Sequence, residues 1–403
     1  IYDGVSGWND MPFTPHFSED FAIGVYMADT WGANYNFNWF ENTRKNIESS
    51  FERLKNIGSD EVYVNDFYMT VFDNESADWT IDTDYHIEPE IFANDFRDEA
   101  MTQDDLNRLA NTAHKNGMKI GWRTSFHMVN IGKYIGVKDI AEEVEKDWER
   151  FTSVERTEEW IKDFFTKWKS LMLDRAEALN KAGFDIMIVT PGWHNPRFHP
   201  HEELANTLWK DLIIAVKKKF NGKVGVIVDR YGYLNKKTDS EDWSKYDFYK
   251  EADLVYYFVY YLPGKYKVKD NPSVAEIKQG FDRYFDDLEK LAEEDNINLS
   301  LMVGIQSFEN SVNHEGFIEF YDFTNPKVKS VKKDWQHQAD VFEAILQSLE
   351  DRNFNKVIFI GYWWDDAMDP EVKPLISLAM SFRNKPAEGV FEKWAKSIKY
   401  SSS

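Results

Sequence analysis

Apolar runs of five to nine residues alternate along this chain with long segments in which apolar residues recur every three or four positions. The first pattern is that of buried strands and the second that of amphipathic helices. Strands are predicted at 21–27, 61–64, 119–125, 184–190, 223–228, 253–261, 298–303 and 356–360. Helices are predicted at 43–57, 103–116, 158–181, 203–220, 274–294 and 334–351, with a short segment at 243–251 and a last helix from near Pro374. Gly58 and Gly117 follow the first two helices, where a residue free to take positive φ ends the turn. The strands show little clean in–out alternation, which suits parallel strands covered on both faces. Eight strand–helix units with no Pro/Gly-rich linker predict a single (β/α)8 TIM barrel over 21–397, after an extension at 1–20 and before a tail at 398–403. Polar stretches at 70–100 and 128–158 predict long loops after the second and third strands. A doubly wound open sheet is the alternative arrangement of the same beat.

Charge and composition narrow the function. The 403 residues include 48 Lys+Arg against 70 Asp+Glu, a net charge of −22. That balance speaks against nucleic acid or an anionic membrane as partner, because phosphate binding needs clustered cations. The longest apolar stretch, 254–262, has nine residues, well short of the ~20 that span a bilayer, so no membrane insertion is expected. Zero cysteines exclude disulfides and thiol catalysis. No Gly-x-Gly-x-x-Gly or Walker motif follows a strand, and no organic cofactor is expected. The first residues lack a basic leader with a small-residue end. The expectation is a secreted or cell-surface protein whose signal peptide has been removed, with a cytoplasmic location left open. Fifteen Trp, 20 Tyr and 30 Phe make up 16% of the chain, enough either for a large aromatic core or for stacking on sugar rings.

Chemistry in such barrels gathers at the C-terminal ends of the strands. There the sequence places Trp31, Asp66, Arg123, His127, Trp193, His194, Asp229, Tyr231, Tyr260, Gln306, Glu309, Trp363, Trp364, Asp365 and Asp366. A ring rich in aromatics, amides and carboxylates, with almost no Lys, fits a neutral polyol, and the expected partner is a polysaccharide or oligosaccharide. The bland alternative is that Trp and Tyr plug the barrel mouth. Cleaving a glycosidic bond takes two carboxyl groups, ~5–5.5 Å apart for retention or ~6.5–9.5 Å for inversion. Asp229 and Asp366 are the leading catalytic pair, with Gln306 or Glu309 as the seventh strand's contribution. Trp31, Asp66, Arg123, His127, Trp193, His194, Tyr231, Tyr260, Trp363, Trp364 and Asp365 are expected to bind substrate. His194, His199 and His201 have the spacing His-x4-His-x-His, which zinc could use. The reading preferred is no metal, with His194 a hydrogen-bond donor to substrate.

Several stretches resemble family-113 endo-β-mannanases, (β/α)8 glycoside hydrolases of the clan that cleaves β-linked polysaccharides. Glu159 and Trp160 through Trp168 and Ala176 to Gly183 resemble that family's long helix before strand four. Asp253 to Val255 with Tyr260 to Pro263 resemble its sixth strand, and Gln338 to Ala344 with Ile360 to Trp364 its closing helix and strand. Lys385 to Glu388 with Trp394 resemble its C-terminal helix. The resemblance implies a catalytic Glu at the ends of strands four and seven. This sequence has Thr190-Pro-Gly-Trp193 at the first and Gly304-Ile-Gln-Ser-Phe308 at the second, so neither Glu is present. Three readings stay open: other carboxylates do the chemistry, the barrel binds carbohydrate without cleaving it, or Gln306 stands where an active form carries Glu. A metal-dependent hydrolase or deacetylase built on the histidine loop is a further alternative.

Overall fold

The computed structural model describes residues 15–18, 20–28, 43–72, 79–81, 101–128, 155–191, 196–228, 242–315, 331–363 and 378–401. The strands are β1 (Ala22–Ala28), β2 (Glu61–Phe72), β3 (Trp79–Ile81), β4 (Lys119–Met128), β5 (Ile186–Ile188), β6 (Lys223–Val228), β7 (Leu254–Val259), β8 (Leu299–Val303) and β9 (Lys356–Trp363). Eight of them pair in parallel around a closed ring, with β1 bonded to both β2 and β9. β3 lies outside the ring as an antiparallel arm on β2, Thr70 facing Ile81. The fourth, seventh and eighth barrel strands are therefore β5, β8 and β9. The architecture is a (β/α)8 barrel, and ring closure rules out the open sheet.

The described α-helices are α1 (Thr43–Asn56), α2 (Gln103–Lys115), α3 (Glu158–Ala182), α4 (Glu202–Lys219), α5 (Val274–Asp295), α6 (Trp335–Leu349) and α7 (Pro386–Ser401). Between β6 and β7 the described residues form two 3₁₀ turns, Trp243–Lys245 and Phe248–Glu251. Local sequence explains the boundaries. Thr102 with Asp105 caps α2, and Ser273 with Glu276 caps α5, each pair satisfying two otherwise free amide donors. Gly183 takes φ 88° to end α3.

The two central boundaries differ from expectation. β2 runs through Phe72 rather than stopping at Val64, because Phe67, Tyr68, Val71 and Phe72 continue a β-forming run into the arm. β4 likewise continues to Met128. α7 reaches Ser401 and buries Ile398, beyond residue 397. The long connections expected at 70–100 and 128–158 lie largely outside the described residues.

Apolar side chains split into two layers. An outer layer between strands and helices holds Val25, Val62, Val64, Trp122, Trp168, Phe342, Phe359 and Trp394. An inner layer fills the barrel with Tyr26, Tyr63, Ile186, Ile188, Ile227, Tyr256, Phe258, Met302, Ile358 and Ile360. The Tyr63 and Tyr256 rings meet edge to face at 5.9 Å, and their hydroxyls lie 2.7 Å apart. Glycine makes that possible. A Cβ at Gly121 would sit 2.4 Å from Tyr63 Cε1, and one at Gly225 2.9 Å from Tyr256 Cε2. Below the rings, Lys356 Nζ donates to both Glu61 oxygens at 2.7 and 2.9 Å, and Tyr63 donates to Glu61 Oε2 at 2.8 Å. This buried pair closes the N-terminal end, and burial pulls the Lys356 ammonium below its usual range against the pull of Glu61.

Candidate functional site

At the opposite, C-terminal end the inner wall changes character. Arg123 is fully buried on the inner face of β4, its guanidinium 4.7 Å from the Tyr26 ring centre and 5.6 Å from that of Phe258. Contacts of this kind hold a cation at ~0.5–2 kcal/mol each. The Phe258 and Tyr260 rings follow at 5.2 Å, and Tyr260 packs where Gly304 leaves room, 2.8 Å from a Cβ built there. Asn65 on β2 is the register partner of Arg123. Thr190, two residues past β5, accepts from the Ile227 amide at 2.7 Å.

Gln306 lies three residues past the end of β8 and is buried. Its surroundings are heavily bonded. Gln338 Nε2 donates to the carbonyls of Ile305 and Met380 at 2.7 and 3.0 Å, and Ser311 Oγ donates to the Gln306 carbonyl at 2.7 Å. The Ser307 amide donates to Leu378 O and its hydroxyl to Ala379 O. Lys385 Nζ donates to Ser307 Oγ at 2.8 Å and to Ala379 O at 3.2 Å. Lys385 is buried, and burial followed by the nearby Lys333 charge drives its ammonium well below the usual lysine range. Hydrogen bonds from four directions leave this backbone little freedom, as a positioned side chain requires.

Of the site residues expected from sequence, Arg123, Tyr260 and Gln306 come to this end of the barrel. Asp66 does not. Its side chain is fully buried on the outer face of β2, accepting from Met101 N at 3.0 Å and Trp122 Nε1 at 3.4 Å, with Arg175 Nε 3.6 Å away. The substrate-binding expectation for Asp66 is corrected to a structural one: the longer β2 puts it one pleat out of phase with the mouth. Glu309 is half-exposed and paired with Lys332 at 3.5 Å. His127 and Trp363 fall in the last residues of β4 and β9. Trp31, Trp193, His194, Asp229, Tyr231, Trp364, Asp365 and Asp366 lie outside the described residues.

The histidine loop divides its members. His199 Nδ1 bonds Glu202 at 2.8 Å, whereas His201 Nδ1 faces Glu158 at 3.8 Å. Glu202 also accepts from Asp242 N at 3.1 Å and Lys245 Nζ at 3.2 Å. Burial pushes the Glu202 carboxyl up, but these donors overcome it and hold the group at about 2. Among the described residues no group of three His, Cys, Asp or Glu is placed to hold a metal ion. Among the same residues no helix is long and apolar enough to cross a membrane.

Sequence reasoning missed Tyr26, Phe258 and Lys385. A period-two count from Gly24 and Leu254 would have flagged the first two as inner-face aromatics. Nothing local marks Lys385, whose role depends on Ser307, 78 positions away.

No protein-family model and no curated protein matches the chain. Solved structures do. A family-113 β-1,4-mannanase shares 14% identity over 93% of this chain and 99% of its own, with a TM-score of 0.60. A family-113 β-mannanase from Alicyclobacillus acidocaldarius, in complex with ManMIm, shares 15% over 94% and 98%, at 0.58. A glycoside hydrolase family 5 mannosidase from Rhizomucor miehei shares 11% over 95% and 94%, at 0.55. At these identities the likeness is one of fold, and it extends over nearly the whole of each chain.

Proposed function

We propose that this chain is a glycoside hydrolase acting on β-1,4-linked mannose polymers or oligomers. The observation that carries the reading is Gln306: a side chain at the end of the seventh barrel strand, on a backbone bolted by Gln338, Ser311 and the Leu378–Ala379 carbonyls. That is where the resemblance implies a nucleophile, and Arg123, Phe258 and Tyr260 at the same end of the barrel suit a polyol. Solved structures of the same fold that are mannanases and a mannosidase support the substrate class.

In the mechanism, Asp229 and Asp366 supply the two carboxyl groups, one protonating the leaving oxygen and the other acting as nucleophile or base. Gln306 keeps the shape of a carboxylate without its charge or basicity, and so orients substrate. Arg123, held between two rings, attracts oxygen lone pairs rather than donating a proton, since a guanidinium stays charged. A polymeric substrate would be met outside the cell, which motivates the secreted assignment.

Product chromatography on β-mannan, with neutral and acidic polysaccharides as controls, tests the proposal on the parent and its Gln306→Glu variant. Mannooligosaccharides from both put the catalytic carboxylates elsewhere, and Asp229→Asn or Asp366→Asn should then cost several orders of magnitude in rate. Products from the Gln306→Glu variant alone make position 306 catalytic. No products from either, with oligosaccharide binding intact, moves the protein to the second reading, a carbohydrate-binding barrel, which the amide at 306 favours. The zinc-hydrolase alternative loses support because His199 and His201 turn to separate carboxylates.

A further inference from the structure

The inner face of β2 carries Tyr63 and then Asn65, one pleat nearer the C-terminal end. Tyr63 is satisfied by Glu61 and Tyr256. Asn65 is fully buried, and neither Nδ2 nor Oδ1 has a hydrogen-bond partner. Native structures keep few such groups, because a buried amide without a partner has lost its water bonds and gained nothing.

Its place in the barrel suggests the reason. Tyr63, Tyr256 and Met302 below it are at 0% exposure, while Tyr26, Phe258 and Tyr260 at the C-terminal end stand at 6%, 7% and 8%. Two of those rings, Tyr26 and Phe258, flank Arg123, the register partner of Asn65.

We propose that Asn65 contacts the ligand, binding adjacent hydroxyls of a neutral sugar ring at the floor of this end of the barrel. The substrate class rests on the glycoside-hydrolase reading above. The chemistry of the two orphan atoms makes the choice among ligands. Nδ2 needs an acceptor and Oδ1 needs a donor. Hydroxyl groups provide both. A carboxylate or phosphate answers Nδ2 and leaves Oδ1 orphaned. A cation answers Oδ1 alone and would sit beside the Arg123 charge.

The test compares parent, Asn65→Leu and Asn65→Ala by titration calorimetry with β-1,4-mannotetraose and with an oligogalacturonide, alongside thermal unfolding of the free proteins. The leucine variant matches the amide's shape without its polarity, and the alanine variant cannot overpack. The expected result is a dissociation constant for mannotetraose raised about tenfold or more in both variants, the loss of one to two good hydrogen bonds. Unfolding temperature in Asn65→Leu should hold or rise, because the orphan amide is gone. Unchanged mannotetraose affinity in both variants overturns the inference and leaves the hydrolase reading standing. Weaker binding with a fall of several degrees in both variants makes Asn65 a packing residue and also overturns it. Tighter binding of the oligogalacturonide than of mannotetraose by the parent overturns the neutral-sugar assignment. A parent that neither binds nor cleaves any of these sugars overturns both the inference and the function it rests on.

Discussion

Glu202 ties two connections on the C-terminal side of the barrel together, and its replacement by Gln gives a measurable test of the electrostatics. The carboxylate has no exposed surface and takes hydrogen bonds from His199, the Asp242 amide and Lys245. These lie on the segment leading into α4 and on the first 3₁₀ turn before β7, which flank 192–195 and 229–241 in the chain. Burial opposes ionisation, yet the donors bring the group from 4.5 to about 2. At ~1.36 kcal/mol per unit, that drop is worth about 3 kcal/mol of folding free energy. Because the folded value is the depressed one, the contribution is complete above the unfolded value of 4.5 and is lost as pH falls towards 2. Roughly 2 kcal/mol should be gone by pH 3. Glu202→Gln keeps one acceptor for the Asp242 amide but points an NH₂ group at His199 or Lys245. It should destabilise the protein by about 2–4 kcal/mol at pH 6–7, a fall of roughly 2–5 °C at the ~2.1 cal/mol/K per residue typical of unfolding entropy. Urea titrations of parent and variant at pH 6 and pH 3 check this, with the gap shrinking by more than half at the lower pH. A gap that stays constant between the two would refute the reasoning, since its source would then not be the ionised carboxylate.

Other expectations follow from the barrel interior. Lys356→Met leaves the buried Glu61 without its cation and should cost ~3–5 kcal/mol, most of it recovered when Glu61→Leu is added; calorimetric melting that shows the double variant as unstable as the single one would sink this account. Gly121→Ala drives a methyl into the Tyr63 ring and should cost ~1–3 kcal/mol or more. Adding Tyr63→Leu should restore a large part of the loss, a non-additivity readable in denaturant midpoints, and simple additivity would show that the ring is not the obstacle.

How much of this was legible beforehand differs from element to element. The eight barrel strands and most helix limits follow from period and caps, both local properties. Asn65 and Asp66 show where local reading stops. With β2 ending at Val64 both residues would stand on a rim loop. With β2 running to Phe72 the pleat sends Asp66 outward to Met101, Trp122 and Arg175 and turns Asn65 inward beside Arg123. A strand end misjudged by a few residues therefore reassigned two side chains. His199 and His201 give a similar lesson: their spacing suggested one shared ligand, but the start of α4 directs them to different acids.

The sequence by itself determined that this chain folds as repeated βα units around an aromatic-rich core, because hydrophobic period and caps act over a few residues. Only the closed barrel decided which polar groups meet. Glu61 and Lys356 pair across 295 positions, and Lys385 reaches Ser307 across 78. Nothing in the neighbourhood of either residue in the chain encodes such a partner. Tertiary packing brings them together, ring closure in the case of Glu61 and Lys356, and burial then makes each pairing, or its lack at Asn65, count in free energy.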